Sequence, residues 1–129
     1  MDHYNPPQTP AEIEFDAAAR LALIRYAGSV SAEGLSAAHE ALFTLLNGRP
    51  VAALIMDVRA STPAYSPAEL IESVETCLAD LPLERCAVVA PATGRERLMM
   101  LLETIAFGHG VRVRAFGEPD QAKQFALGV

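Results

Sequence analysis

A single lysine, Lys123, serves the whole chain, and there is no tryptophan. With a formal net charge of −6, that shortage of amines excludes a phosphate-tracking basic stripe, since nucleic-acid affinity comes from clustered Lys and Arg. It equally excludes a polybasic patch for anionic lipid. Only two cysteines occur, Cys77 and Cys86, one in a predicted helix and one in a predicted buried strand. They read as reduced thiols acting as small hydrophobes, in keeping with a cytoplasmic protein. No apolar run approaches the roughly 20 residues that span a bilayer. The start, MDHYNPPQTP, lacks the basic and apolar regions of a signal peptide; residues 1–11 are expected to be a disordered polar tail.

What the chain does have is aliphatic bulk. Hydrophobic residues make up 51% and aromatics only 6% of 129 residues, with a mean hydropathy of +0.21. Residues 12–129 suffice for one domain with a real core. Ile13 and Phe15 alternate with Glu14 and Asp16, a half-buried strand, and RLALIRYAG forms a second strand closed by Gly28. Ser29 or Ser31 caps a helix with Leu35, Ala38, Leu42, Leu45 and Leu46 on one face. Asn47-Gly48 stops it and Pro50 prevents a restart.

Val51–Met56 is apolar on both parities, which predicts a central strand covered on both faces. A loop is expected over 57–66, then a helix bearing Leu70, Ile71, Val74, Cys77, Leu78 and Leu81. RCAVVA is a second buried strand, Thr93 caps a third helix that GHG ends, and VRVRAF alternates as an edge strand. Glu118-Pro119-Asp120 opens a short last helix. The order β-β-α-β-α-β-α-β-α implies an α/β fold: a mixed, mostly parallel sheet of about five strands with about four helices.

Ligands in such sheets sit at the carboxyl ends of the strands, beside helix amino termini. Two segments qualify, 57–66 and 90–98, offering Asp57, Arg59, Ser61, Thr62, Tyr65, Ser66, Thr93, Arg95 and Arg97. Arg59 and Arg95 with free backbone N–H groups suit an anion. The structural alternative is that Asp57 and Arg59 pair locally and that Ser66 caps, because Ser-Pro-Ala-Glu is a capping box. Enzyme signatures fail. There is no Gly-x-Ser-x-Gly elbow, and Phe43 stands where a zinc helix starting at His39-Glu40 needs its second histidine. ATGRERL lacks the P-loop ending, and Cys86 lacks a base. His39 reads as a solvated helix residue. No metal or cofactor is expected.

YAGSVSAEGL, ALIMDVR, CAVVAPATGRERL and VRVRAFGEPDQAKQFAL together resemble the anti-sigma-factor-antagonist (STAS-like, SpoIIAA-like) family, in its branch of small bacterial proteins of unassigned function. The resemblance spans Ile13 to about Leu127 and rests on order and local flavour rather than a catalytic motif. It implies a SpoIIAA-like fold, no enzymatic activity, and a regulatory domain that binds a protein partner such as an anti-sigma-like regulator. In the sporulation antagonists a phosphorylatable serine begins the helix after the central strand, and Ser66 stands at about that place. Here Tyr65 and Pro67 flank it and the family's glycine is missing.

Two functions follow as expectations. One is a non-enzymatic interaction domain, a homodimer, whose contact zone is 57–66 with the next helix, using Asp57, Arg59, Ser61, Tyr65, Ser66, Thr93 and Arg95. The other is a binder of a lipid or an anionic metabolite. It would use the Arg59/Arg95 crevice or an apolar sheet face, left open because this fold tends to gather its helices on one side. A hydrolase or isomerase with Asp57 as base ranks third.

Overall fold

Glu12, Glu14 and Asp16 alternate with Ala11, Ile13 and Phe15, and this parity decides which side of the sheet becomes the interior. The computed structural model describes residues 2–4, 11–91 and 96–129. The strands are β1 (Asp2–Tyr4), β2 (Ala11–Asp16), β3 (Leu21–Ser31), β4 (Ala53–Ala64), β5 (Arg85–Val89) and β6 (Arg112–Phe116). Helices α1 (Ala32–Leu46), α2 (Pro67–Asp80), α3 (Glu96–Gly108) and α4 (Pro119–Leu127) alternate with the later strands. All six strands form one sheet in chain order, antiparallel from β1 to β3 and parallel from β3 to β6.

Three expectations change. Asp2–Tyr4, expected in a tail, pairs with Ile13–Phe15 as an edge strand, and Ala11 is buried in β2. The segment 57–64 is strand rather than loop: β4 runs to Ala64 beside a β3 that passes straight through Gly28 to Ser31. Gly28 accommodates this with a φ of 70°. Pro63 falls where β5 has already ended opposite Asp57, so the outer part of β4 is a sheet edge, where proline is tolerated. Finally, the helices do not all lie on one side.

Leu54 of β4 joins Ile13, Phe15, Ile24, Cys86 and Val113 in the main core, under α1, α2 and α3. Ala53 and Ile55, of the other parity, join Leu21, Ala87, Val89 and the buried Ala122 and Ala126 of α4. The two-sided burial read from Val51–Met56 is thus met by α4 on the reverse face. One short helix suffices there because the β2–β3 half of that face is finished with charge. Arg25 donates to Glu14 at 3.0 Å and lies 3.7 Å from Glu12.

Helix ends follow local chemistry. The Ser31 hydroxyl accepts the Gly34 N–H at 3.0 Å to start α1, and Asn47 (φ 49°) and Gly48 (φ 78°) turn it off in the left-handed region. Within α1, neighbouring Leu42 and Phe43 are 0% and 55% exposed, which separates burial from helix propensity. Urea denaturation of Leu42→Ala is expected to show a loss of about 2–5 kcal/mol, as for other buried leucines. Phe43→Ala should stay within about 0.5 kcal/mol of wild type.

Candidate functional site

Among the described residues, those singled out from sequence do not converge on one site, and a register shift in the β3–β4 ladder separates them. Arg25 faces Asp57 but Ala27 faces Ala60, so Val58 and Arg59 together oppose Tyr26. This β-bulge inserts one residue into β4 and reverses its parity. Before it, Asp57 shares the α4 side with Ala53 and Ile55. After it, Ser61 turns to the opposite face, where it and Tyr65 line a cavity with Val58.

Asp57 is buried at 8% exposure and is almost wholly engaged by Arg59. The guanidinium donates Nε–H to Oδ1 at 3.0 Å and an Nη2 proton to Oδ2 at 2.7 Å, and the Arg59 backbone N–H donates to Oδ1 at 3.1 Å. Such forked, charge-assisted bonds are strong ones. The Arg59 bonds hold the Asp57 carboxyl below the usual carboxylate range, against the opposing effect of burial. Ser61 donates its hydroxyl proton to the Val58 carbonyl at 2.8 Å, stapling the bulge. Ser66 is the N-cap of α2: its hydroxyl accepts the Glu69 N–H at 3.2 Å, while Glu69 accepts the Ser66 N–H at 2.8 Å. Thr62 is exposed. Thr93 and Arg95 lie outside the described residues, and Arg97 is exposed on the first turn of α3. Asp57, Arg59 and Ser66 thus take up the structural roles that local pairing and capping offer.

The cavity is the feature that sequence reading missed. It has a volume of about 150 Å³ and lies between the sheet and α1, α2 and α3. Its cause is the placement of α2, which packs against α1 and α3 rather than directly on the strands. Leu70 and Leu78 are buried at the two ends of α2, whereas Ile71, Val74 and Cys77 between them are only half-buried. The space left beneath is walled mostly by aliphatic side chains, among them Leu54, Met56, Val74, Val88 and Met99.

Polar atoms are few there and specifically placed. His39, expected in solvent, instead lines the cavity with a side chain only 12% exposed. Its position four residues after Leu35 puts it on the inner face of α1. The Nε2 atom is buried with no hydrogen-bond partner among the described residues. Asp80 Oδ2 is 3.8 Å away, beyond hydrogen-bond reach. Burial lowers the His39 pKa despite Asp80 and Glu40, so the ring is neutral at pH 7. Tyr26, 4% exposed, also lines the cavity, and burial drives its phenol upward. Burial pushes the Cys77 thiol up to about 11 and the Cys86 thiol up to about 12. Both are protonated at neutral pH and poor nucleophiles. Among the described residues no group of three or more His, Cys, Asp and Glu is placed to hold a metal ion. No described helix is long and apolar enough to cross a membrane.

The Asp57–Arg59 fork generates a pH dependence. A depressed carboxyl pKa contributes stability that is fully present above the unfolded value of about 3.9 and is lost as pH falls through the lower folded value. The stability gap between wild type and Asp57→Asn, from urea melts, is expected to be constant above about pH 5 and to narrow below about pH 4. Ser66→Ala removes the cap and is expected to lower stability by about 1 kcal/mol.

No family model and no curated protein sequence matches the chain. Among solved structures, an uncharacterized DUF3478-family protein with a SpoIIAA-like fold, from Shewanella loihica PV-4, superposes with a TM-score of 0.66. Identity is 13%, over 98% of this chain and 96% of that one. A second structure, described as Mglu, is 16% identical over 84% of this chain and 19% of its own length. Its TM-score of 0.34 is too low to carry an argument. The element order, the mixed sheet and the end-to-end superposition on the Shewanella protein agree: this chain has a SpoIIAA-like, α/β fold.

Proposed function

We propose that the protein is a binding domain for a small apolar ligand, held in the cavity beneath α2. The observation that carries this reading is the about 150 Å³ apolar space with the unpartnered Nε2 of His39 in its wall. A dry cavity of about this volume accepts a benzene-sized molecule. The expected ligand is therefore a single ring or a short acyl chain with one polar atom, not a whole lipid. Neutral His39 offers that atom a donor or an acceptor according to its tautomer. The Tyr26 hydroxyl offers a second group. Binding of this kind calls for no reaction: among the described residues His39 Nε2 is hydrogen-bonded to no nucleophile, and the Cys77 and Cys86 thiols in the wall are held protonated by burial.

This differs from both readings drawn from sequence. The Arg59 crevice is disfavoured as an anion site, since Arg59 already serves Asp57. The reverse face of the sheet is disfavoured as a lipid surface, since α4 and the Arg25–Glu14 pair occupy it. A regulatory role through a protein partner connects naturally to the cavity. Helix α2 roofs the ligand on one side and is exposed along much of its length on the other. A change in its seating would reach the surface that begins at Tyr65 and Ser66.

Val74→Phe places a ring in the cavity and tests the reading directly. Indole, benzyl alcohol and hexanoate, titrated separately into ¹⁵N-labelled protein, are expected to shift the amide signals of residues around Tyr26, His39 and Val74. Val74→Phe should abolish those shifts while its melting temperature stays at or above the wild-type value. Absence of shifts with all three probes, or shifts unchanged by Val74→Phe, would overturn the proposal.

A further inference from the structure

The last strand of the sheet carries an observation independent of the cavity. Arg112 donates its backbone N–H to Glu84 at 3.0 Å, and the Phe116 carbonyl accepts the Ala90 N–H at 3.0 Å. Backbone groups alternate along a strand. The N–H and C=O of Arg112, Arg114 and Phe116 therefore face β5, and those of Val113 and Ala115 face outward. With β6 last in the sheet order, these four outward groups meet no strand among the described residues. Beside them runs a groove of about 480 Å³ lined by Glu103, Phe107 and residues 111–115. Phe107, 83% exposed, forms its apolar wall.

Charge selects the occupant. Arg112 and Arg114 are exposed and lie over the Phe125 ring, 5.5 and 5.8 Å from its centroid. Neither has a carboxylate partner among the described residues, in a chain whose net charge is −6. The single acid in the groove wall is Glu103, set on α3 rather than on the strand. A second copy of β6 would bring its own two arginines against these, and directly opposed like charges destabilise a strand pair. An edge with only protective arginines would need no apolar groove beside it.

We propose that the β6 edge is a docking site for an extended acidic segment of a partner protein. That segment adds a seventh strand through the Val113 and Ala115 backbone groups. Its carboxylates meet Arg112 and Arg114, and an apolar side chain lies against Phe107. Main-chain bonds supply the affinity and the two arginines the selectivity.

Ala115→Pro tests the pairing cleanly, because it removes an N–H that points away from β5 and leaves the native ladder whole. The probe is a fluorescein-labelled, end-capped peptide of alternating glutamate and valine, followed by anisotropy at low and high salt. Wild type is expected to bind it with an affinity that falls as salt rises. Ala115→Pro should bind at least tenfold more weakly, with unchanged circular dichroism, and Arg112→Gln/Arg114→Gln should lose both affinity and salt dependence. A peptide N-methylated along one edge repeats the test on unaltered protein and should not bind. Equal binding of a lysine–valine peptide, binding indifferent to both Ala115→Pro and N-methylation, or absence of binding would overturn the proposal. So would concentration-dependent self-association abolished by Ala115→Pro, which would make the occupant a second copy.

Discussion

The parallel ladder between β3 and β4 outlasts its neighbours, and most of the molecule's particular features follow from that one pairing. It continues from Leu21–Ala53 to Ser31–Ala64, while β5 stops opposite Asp57. A ladder of that length would normally keep one parity throughout. The extra residue opposite Tyr26 breaks it, so the inner half of β4 sends Asp57 to the α4 side and the outer half sends Ser61 to the cavity side. The fork between Asp57 and Arg59 sits at this break, and the Ser61 hydroxyl bonded to Val58 sits just beyond it. Residues that look like a chemical constellation in sequence are the fittings of a bulge.

The extension also displaces α2. The chain leaves β4 at Ala64, well beyond the end of β5, and Ser66 caps the helix at once. Helix α2 therefore starts outside the main layer and descends across α1 and α3. Its apolar stripe touches the core near Leu70 and Leu78 and hangs over a void between them. Long-range pairing and a local capping box together place the helix, and the cavity is their geometric remainder.

Much of this was legible in the residues. The strand and helix order from β2 onward, the Ser66–Glu69 box and the Asn47-Gly48 stop each depend on a local signal that tertiary packing did not override. The two-sided burial of Val51–Met56 was correct, but which helix covers the second face is a topological fact that apolar parity alone does not contain. The bulge was invisible, because an inserted residue has no composition of its own, and Pro63 with Pro67 made 57–66 read as loop. His39 was misread for a different reason. Its polarity outweighed its place on the Leu35–Leu42 face, although a buried polar residue on an apolar stripe is the informative exception. Asp57 and Arg59 were expected in a binding zone, with local pairing as the structural alternative, and it is that alternative the fork displays; the cavity needed the third dimension.

The energetic cost of the cavity supports the proposed reading. At roughly 24 cal/mol per Å³, a space of about 150 Å³ that side chains leave unfilled forfeits about 3–4 kcal/mol of protein packing. That is a large share of the roughly 5–15 kcal/mol by which domains are stable. Filling it needs no new architecture: a larger side chain at Val74 or Val88, both in the cavity wall, would do, and cavity-filling substitutions commonly stabilise. A buried imidazole nitrogen without a partner adds a further desolvation cost of about 1–3 kcal/mol. On the proposed reading both costs would be offset together by one molecule that fills the space and meets His39; closing α2 onto the strands would offset neither, because it would leave the nitrogen orphaned in a drier place.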